Sequence, residues 1–158
     1  MALGEYKLFN CDGIAHSMII REATVGDTKA VLGLLDQLCS WDECSSYGQD
    51  AFISALSDPS VTVFVAEDGG VVVGEATVLE VPALRYRSTR VIVDEFIVDA
   101  KHRGKGIGTA LLEHVVSYAR NRGAHSVWVA SRTDRKDAHE LYKTAGFKMW
   151  EYSFRLDL

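Results

Sequence analysis

The sequence predicts a single mixed α/β domain, and three features carry that prediction. Two runs rich in β-branched residues flank Asp68-Gly69-Gly70, which is typical of an antiparallel hairpin. Apolar residues recur with the helical period over about 106–122, directly after one strand-like run and before another. Strand and helix patterns alternate along the chain in the order β-α-α-β-β-β-α-β-α-β, which indicates a layered α/β fold.

Six strands and four helices are predicted, and a few punctuating residues set their bounds. Thr24 followed by a carboxylate at Asp27 fits a helix start, while Gly123 and Gly146 fit helix ends. The predicted strands are 18–23, the two arms of the hairpin at 61–81, 90–98, 126–130 and 147–156. The predicted helices are 26–39, 49–57, 106–122 and 136–145. The strand–helix–strand unit from 91 to 130 should join parallel strands by a right-handed crossover.

Length and composition fit one domain without a membrane span. The 158 residues are 47% hydrophobic and 25% charged, and no apolar run approaches the ~20 residues of a transmembrane helix. We expect residues 1–17 to form an N-terminal extension peripheral to a domain over 18–158. The first residues lack the pattern of a secretory signal, so the expected location is cytoplasmic. The net charge of −5 argues against a nucleic-acid-binding protein.

The cysteine and histidine pattern predicts neither a disulfide framework nor a metal centre. Cys11, Cys39 and Cys44 form an odd set, and no histidine lies near the last two in sequence to complete a zinc site. A nucleophilic cysteine is no better supported, because no Cys–His arrangement can be identified from the sequence.

A glycine-rich turn, HRGKGIG at 102–108, joins the strand at 90–98 to the helix at 106–122. The first N–H groups of a helix have no intrahelical partner, and with the helix dipole they form an anion site that glycines leave open. A tight turn without a ligand is the alternative. Two other phosphate-binding motifs fail here. The P-loop pattern G-x-x-x-x-G-K-S/T is absent, and a dinucleotide fingerprint would need glycine where Thr109 stands.

Two motifs resemble those of the GNAT family of N-acetyltransferases, over about residues 18–155. RGKGIG at 103–108 fits the family's R-x-x-G-x-G signature, and AHELYKTAGF at 138–147 is similar to its A-x-x-x-Y-x-x-x-G-F ending. The resemblance implies a GNAT fold with a mixed central sheet of about six to seven strands and about four flanking helices. The sheet would be splayed between the strands at 91–98 and 126–130. The resemblance also implies acetyl-CoA as the cosubstrate.

The same resemblance implies which residues hold acetyl-CoA. The end of the strand before the turn would pair its backbone with the pantetheine arm, and the N–H groups of the turn would hold the pyrophosphate. The strand residues are Phe96, Ile97 and Val98, and those of the turn are Arg103, Gly104, Lys105, Gly106, Ile107, Gly108 and Thr109. Arg135 stands where many members carry an asparagine, so the sequence departs from the pattern there.

Acetyl transfer to an amine needs a base for the ammonium proton and a proton donor for the departing thiolate. Tyr142 matches the family tyrosine near the sulfur and is the predicted donor; the alternative is a core residue with its hydroxyl at the surface. Asp94 and Glu95 interrupt an aliphatic strand, and should face opposite ways unless a bulge intervenes. One of them, with Glu95 preferred, is the predicted base or amine anchor. Alternatively, both are solvated beyond the covered sheet.

The acceptor is predicted only as a class, namely a primary amine of a small molecule or peptide. Trp41, Asp42 and Glu43 follow the first helix, in a region that helps to form the family's acceptor site, and they would suit a cationic amine. A solvated loop is the alternative for these three residues. Transfer should be direct, because no cysteine is expected at the sulfur end of the cosubstrate. The alternative function is a non-catalytic acyl-CoA-binding or regulatory module on the same fold, and a homodimer is expected only at the family level.

Overall fold

The computed structural model describes residues 4–9, 15–38, 48–150, 153–154 and 156, and its strands form one mixed sheet. The strands are β1 (Gly4–Phe9), β2 (Ala15–Glu22), β3 (Val61–Asp68), β4 (Val71–Ala83), β5 (Ser88–Val98) and β6 (Ser126–Val129). The helices are α1 (Thr28–Leu38), α2 (Gln49–Ser57), α3 (Ile107–Asn121) and α4 (Lys136–Thr144). Neighbours from β1 to β5 pair antiparallel, and β5 pairs with β6 in parallel, as the sequence predicts for a strand–helix–strand unit.

The sheet has six strands, but β1 lies before residue 18. Within the domain predicted over 18–158, the described residues form five strands, β2 to β6, rather than about six to seven. The predicted final strand over 147–156 is the one that is wrong. Its described residues, at 147–150, 153–154 and 156, are not in a strand, and Met149 and Trp150 are 86% and 80% exposed. Alternation of apolar and polar side chains favours a strand, but the backbone groups of a strand also need a partner edge.

The N-terminal segment contributes the edge strand of the sheet. β1 lies within residues 1–17, which the sequence predicts to be peripheral, and it pairs with β2 only. Tyr6 of β1 packs against the main core, and its hydroxyl lies 3.4 Å from Nδ1 of His114 in α3. The segment therefore sits at the margin of the sheet and contacts the domain through β2 and α3.

The sheet separates two apolar clusters, one beneath α3 and one beneath α1 and α2. The helical stripe predicted for α3 is confirmed, because its apolar side chains are buried against the sheet: Ile107, Leu111, Leu112, Val115 and Ala119. The opposite cluster consists of Val31, Leu35, Phe52, Val63 and Val65. Both faces of the central strands are therefore covered over much of their length, and a charged group among them needs a specific explanation.

An ion-pair network fixes the start of α1. Asp27 accepts both terminal N–H groups of Arg21 at 2.8 Å, and it also accepts the backbone N–H of Thr24 at 2.7 Å. The hydrogen bond from Arg21 is the largest of the effects that lower the pKa of Asp27 to about 2. Arg21 also donates to Glu67 of β3, so the network ties the first helix to two strands. The helix start predicted at Thr24 and Asp27 is thus confirmed, with one turn of 3-10 helix before α1.

We expect Asp27→Ala to lower the free energy of unfolding by about 3 kcal/mol, because it leaves a half-buried guanidinium without its main partner. Urea denaturation at pH 7 measures the loss. Asp36→Ala is the matched control, since Asp36 lies exposed on α1 and its removal should cost less than about 0.5 kcal/mol. Equal stabilities for the two variants would contradict the role assigned to the network.

Candidate active site

The glycine-rich turn begins where β5 ends and leads directly into α3. Gly104 and Gly106 have φ values of +76° and +81°, and Gly106 is the N-cap residue of α3. Residues other than glycine rarely adopt this left-handed backbone conformation. Gly104 and Gly106 are therefore needed for the backbone conformation of the turn itself.

Two contacts hold the start of the turn against α1. Gln37 donates from Nε2 to Asp99 Oδ2 at 3.0 Å, and its Oε1 accepts the backbone N–H of Ala100 at 3.1 Å. Asp99 also accepts the N–H of Lys101 at 2.8 Å and lies 3.0 Å from His102 Nδ1. The hydrogen bond from Gln37, followed by those from His102 and Lys101, lowers the pKa of Asp99 to about 2. Hydrogen bonds from Gln37 and around Asp99 therefore hold the start of the turn in place.

The chemistry of the turn fits a diphosphate group. The first N–H groups of α3 have no intrahelical partners, and a Cβ atom added at Gly104 would meet no atom within 4 Å, so this part of the turn is open. Arg103 and Lys105 are exposed and add positive charge beside it. Arg103 also donates from Nε to the carbonyl of Val98 at 3.0 Å, which holds its side chain near the end of β5. Open amide donors with nearby cations form an anion site.

β6 pairs with only the first part of β5 and ends before β5 reaches this turn. β6 pairs with β5 only from Arg90 to Val93, although β5 continues to Val98. Phe96 and Val98 pack toward α3 and α4, where a Cβ added at Gly108 would lie 3.9 Å and 3.6 Å from them. The second half of β5 therefore pairs with β4 alone, and β6 leaves its other edge unpaired.

Tyr142 lies on α4, whose predicted position over 136–145 is confirmed to within one residue. Its side chain is buried between Phe96 of β5 and Phe147, with ring centroids 6.2 Å and 6.0 Å away. Burial raises the pKa of the Tyr142 phenol, and the charge of Arg135 opposes that shift. Tyr142 and Phe96 therefore lie side by side, which brings the predicted proton donor to the predicted pantetheine strand.

Arg135, the residue that departs from the family pattern, joins α4 to α1. Its Nη2 donates to the carbonyl of Leu38 at 2.6 Å, at the last residue of α1. The neighbouring Arg132 pairs with Asp134 at 2.9 Å. These two arginines thus make contacts within the protein, and Arg135 fixes the beginning of the helix that carries Tyr142.

A β-bulge separates the two predicted carboxylates. Thr77 of β4 pairs with Glu95, while the next residue, Val78, pairs with Val93, so Asp94 has no partner in the ladder. Asp94 is exposed, whereas Glu95 is half-buried and shares the α1/α2 face of the sheet with Thr77. A bulge therefore interrupts the alternation of side chains at Asp94 and Glu95. It places Glu95 opposite Thr77 on the covered face, while Asp94 is exposed.

Glu75 is a candidate that the sequence analysis did not find. It lies on β4, is 0% exposed, and accepts a hydrogen bond at Oε1 from the hydroxyl of Thr77 at 2.5 Å. Burial is the main reason that the pKa of Glu75 is raised to about 8; the bond from Thr77 opposes the shift, while Glu95 and Asp94 add to it. A signal was present, because Glu75 is the single charged residue in the run VVVGEATVL at 71–79.

Some predictions lie outside the described residues. These are the acceptor residues Trp41, Asp42 and Glu43, and all three cysteines. Within the part of the chain that is described, no three His, Cys, Asp or Glu side chains form a group that could hold a metal ion. In the same residues, every helix is too short or too polar to cross a bilayer.

The sequence matches a known protein family and several named relatives. The Acetyltransferase (GNAT) family matches residues 31–147. Aminoalkylphosphonate N-acetyltransferase of Salmonella typhimurium is 30% identical over 135 residues, which cover 85% of this chain and 88% of that protein. Streptothricin acetyltransferase of Streptomyces lavendulae is 31% identical over 106 residues, which cover 67% of this chain and 53% of the relative.

A solved structure of similar shape is described as a transcriptional regulator from Bacillus halodurans C-125. It matches with a TM-score of 0.80 and 26% identity, covering 89% of this chain and 99% of that one. The chain therefore belongs to the GNAT acetyltransferase family, and its α/β fold is that of the family. Its curated relatives are named as acetyltransferases, which identifies it as an enzyme of that class.

Proposed function

We propose that this protein transfers an acetyl group from acetyl-CoA directly to a primary amine. One observation carries the proposal: the half of β5 that β6 leaves unpaired runs from Phe96, beside Tyr142, to the glycine turn at the start of α3. A linear thioester with a diphosphate group needs this arrangement, in which an anion site and a proton donor lie along one strand.

The residues proposed to hold acetyl-CoA lie at the end of β5 and in the turn before α3. The backbone of Phe96, Ile97 and Val98 lies along the edge of β5 that β6 does not cover. The N–H groups from Arg103 to Thr109 lie in the turn and the first turn of α3. When bound, acetyl-CoA supplies a thioester whose C–S bond breaks as the amine nitrogen forms the amide bond.

The protons are handled by this chain's own side chains. An alkylammonium must lose one proton before it attacks, and Glu95 is the proposed acceptor, with exposed Asp94 as the second candidate. Tyr142 is the proposed donor to the departing thiolate. The proton released from nitrogen as the amide forms replaces the one that Tyr142 gives. Because burial raises its pKa, Tyr142 keeps its proton throughout the neutral range.

The acceptor is proposed to be a small molecule with a cationic amine. Relatives are named for aminoalkylphosphonate and streptothricin, both small amines. The acidic pair at 94–95 favours a positive charge near this part of β5, and Trp41, Asp42 and Glu43 are proposed to line the acceptor site. The cytoplasmic location and the homodimer expected from the sequence stay predictions.

Two measurements test the proposal. Acetyl-CoA at saturating concentration should raise the melting temperature, because it binds the folded state only. A panel of alkylamines, aminoalkylphosphonates, aminoglycosides and peptides should then contain an acceptor whose addition releases free CoA thiol. The proposal fails if neither the thermal shift nor any thiol release is seen.

Tyr142→Phe should lower kcat about 10-fold to 100-fold with little change in the affinity for acetyl-CoA, because it removes a proton donor but keeps the buried ring. Steady-state kinetics with the best acceptor measure kcat, and the thermal shift with acetyl-CoA measures binding. Tyr86→Phe is the control, since Tyr86 lies near His125 at the opposite end of β5. Unchanged kcat in Tyr142→Phe would remove the tyrosine from the mechanism.

A further inference from the structure

Glu75 is an unusual residue for the centre of an apolar sheet. Its side chain is completely buried, and Oε2 has no hydrogen-bonding partner among the described residues. A buried carboxyl oxygen without a partner costs about 1–3 kcal/mol, whereas an apolar residue at this position would cost nothing. Stability alone therefore does not account for a glutamate here.

The neighbours of Glu75 on β4 and β5 connect it to the proposed base. Thr77 donates to Glu75 Oε1 and is itself the direct cross-strand partner of Glu95. Because paired residues project to the same side of a sheet, Glu75, Thr77 and Glu95 share the α1/α2 face. Asp94 is the further acidic group that acts on Glu75, from the bulge.

The other elements that pack around Glu75 present no cation close to it in the described structure. Its partner on β3 is the apolar Val65. Arg21 follows in the same row on β2, two strands away, and its guanidinium is engaged by Asp27 and Glu67. On α1 the residues that face the sheet are apolar, and Lys29 and Asp36 are exposed.

We propose that Glu75 is a positioning residue of the active site: it shares the acceptor's proton with Glu95, through Thr77 and the face of the sheet that the three residues occupy. The proposal rests on the proposed acetyltransferase function and adds to it a second, buried carboxyl. Binding of the cationic acceptor releases to solvent the one proton that the two carboxyls hold. The ammonium then gives a proton to Glu95, and Glu95 and Glu75 share it, which restores the resting pair. One proton is thus released in each turnover, as formation of an amide and a free thiol from an ammonium and a thioester requires.

The arrangement explains why the buried oxygen is retained. Two carboxyls on neighbouring strands of one covered face, one of them completely buried, cannot both ionise easily, so together they hold one proton near neutral pH. Binding of a cationic amine favours ionisation of both carboxyls. When the amine then loses a proton to the two carboxyls, the pair is singly protonated again. A base whose proton affinity lies nearer that of an amine accepts its proton more readily than an ordinary surface carboxylate does.

The test is the pH dependence of kcat between pH 6 and 9.5, with the best acceptor of the panel at saturation, for wild type and three variants. Wild type should show a rise of kcat on the acid side of the profile. Glu75→Gln, which keeps the size and an acceptor for Thr77, should lower kcat about tenfold or more and abolish that rise, with the KM for acetyl-CoA unchanged.

Thr77→Val is a second test variant, and Glu113→Gln is the matched control. Thr77→Val removes the bond that favours the ionised form of Glu75, so the rise should move to higher pH by about one unit. A purely structural role for Glu75 would change stability without moving the profile. Glu113 is exposed on α3, and Glu113→Gln should keep the wild-type profile. Circular dichroism at each pH establishes that every variant is folded under the assay conditions.

The outcomes separate the two proposals. If wild type is active and Glu75→Gln keeps both its kcat and its profile, the role of Glu75 is overturned and the acetyltransferase function stands. An unmoved profile in Thr77→Val also overturns the relay. If wild type acetylates no amine in the panel, the proposed function fails and the role of Glu75 fails with it.

Discussion

Gly106→Val should abolish the thermal stabilisation by acetyl-CoA. In wild type, a cosubstrate at about 100 times its Kd adds about 2.7 kcal/mol, which corresponds to a rise in Tm of about 5 to 10 °C for a domain of this size. Gly106 has a φ of +81° at the N-cap of α3, so valine forces the backbone to change and places a branched side chain beside the open N–H groups. Differential scanning fluorimetry with and without acetyl-CoA measures the effect.

Gly123→Val separates loss of binding from backbone strain. Gly123 also has a positive φ, +70°, but it lies beyond the far end of α3, and a Cβ there would meet no atom within 4 Å. Both variants should lower Tm in the absence of ligand, since a side chain in this region costs about 1–2 kcal/mol. Only Gly123→Val should keep the rise with acetyl-CoA. A normal rise in Gly106→Val would refute the anion site.

The stability of the wild-type protein should fall as the pH rises from 5 to 8, and Glu75 should account for the fall. The pKa of Glu75 is about 8 in the folded protein and 4.5 in the unfolded chain. Between these values the folded state binds more protons, so each rise in pH favours unfolding. The stabilisation is complete below the unfolded pKa and lost above the folded one, and it amounts to about 4 kcal/mol over this range.

Comparison with Glu75→Gln isolates that contribution. The amide cannot ionise, so the difference in unfolding free energy between the two proteins should grow with pH in favour of the variant. The half-buried His114, whose pKa burial lowers, acts in the opposite direction in both proteins and cancels in the difference. Urea denaturation at pH 5, 6, 7 and 8 measures it. Parallel curves for wild type and variant would mean that Glu75 is not protonated in the folded state at neutral pH.

Local patterns were sufficient to predict most of the fold. The hairpin around Gly69 and Gly70, the apolar stripe of α3 and the parallel pairing of β5 with β6 each depend on residues close in sequence or on a general topological rule. The predicted final strand failed because strand formation depends on an available edge, which no local pattern reveals. The edge strand β1 was missed for the related reason that its pairing with β2 is a tertiary contact.

The candidate site was predictable only where a motif marked it. The turn at 103–109 and Tyr142 were found through residue spacing, and the structure brings them to the same strand end. Glu75 has no motif, and its importance depends on burial and on Thr77 and Glu95, which a bulge brings onto its face. The preference for Glu95 over Asp94 depends on the same bulge, because alternation alone cannot tell which of two adjacent residues faces the covered side.

The end of α1 is held on both sides, at Gln37 by the beginning of the glycine turn and at Leu38 by Arg135 from the start of α4. The chain that follows Leu38 therefore departs from a fixed point. These contacts tie the glycine-rich turn and the helix that carries Tyr142 to one another through the end of α1. Under the proposed function, changes in the chain after Leu38 would alter the acceptor and leave the residues proposed for the acetyl donor in place.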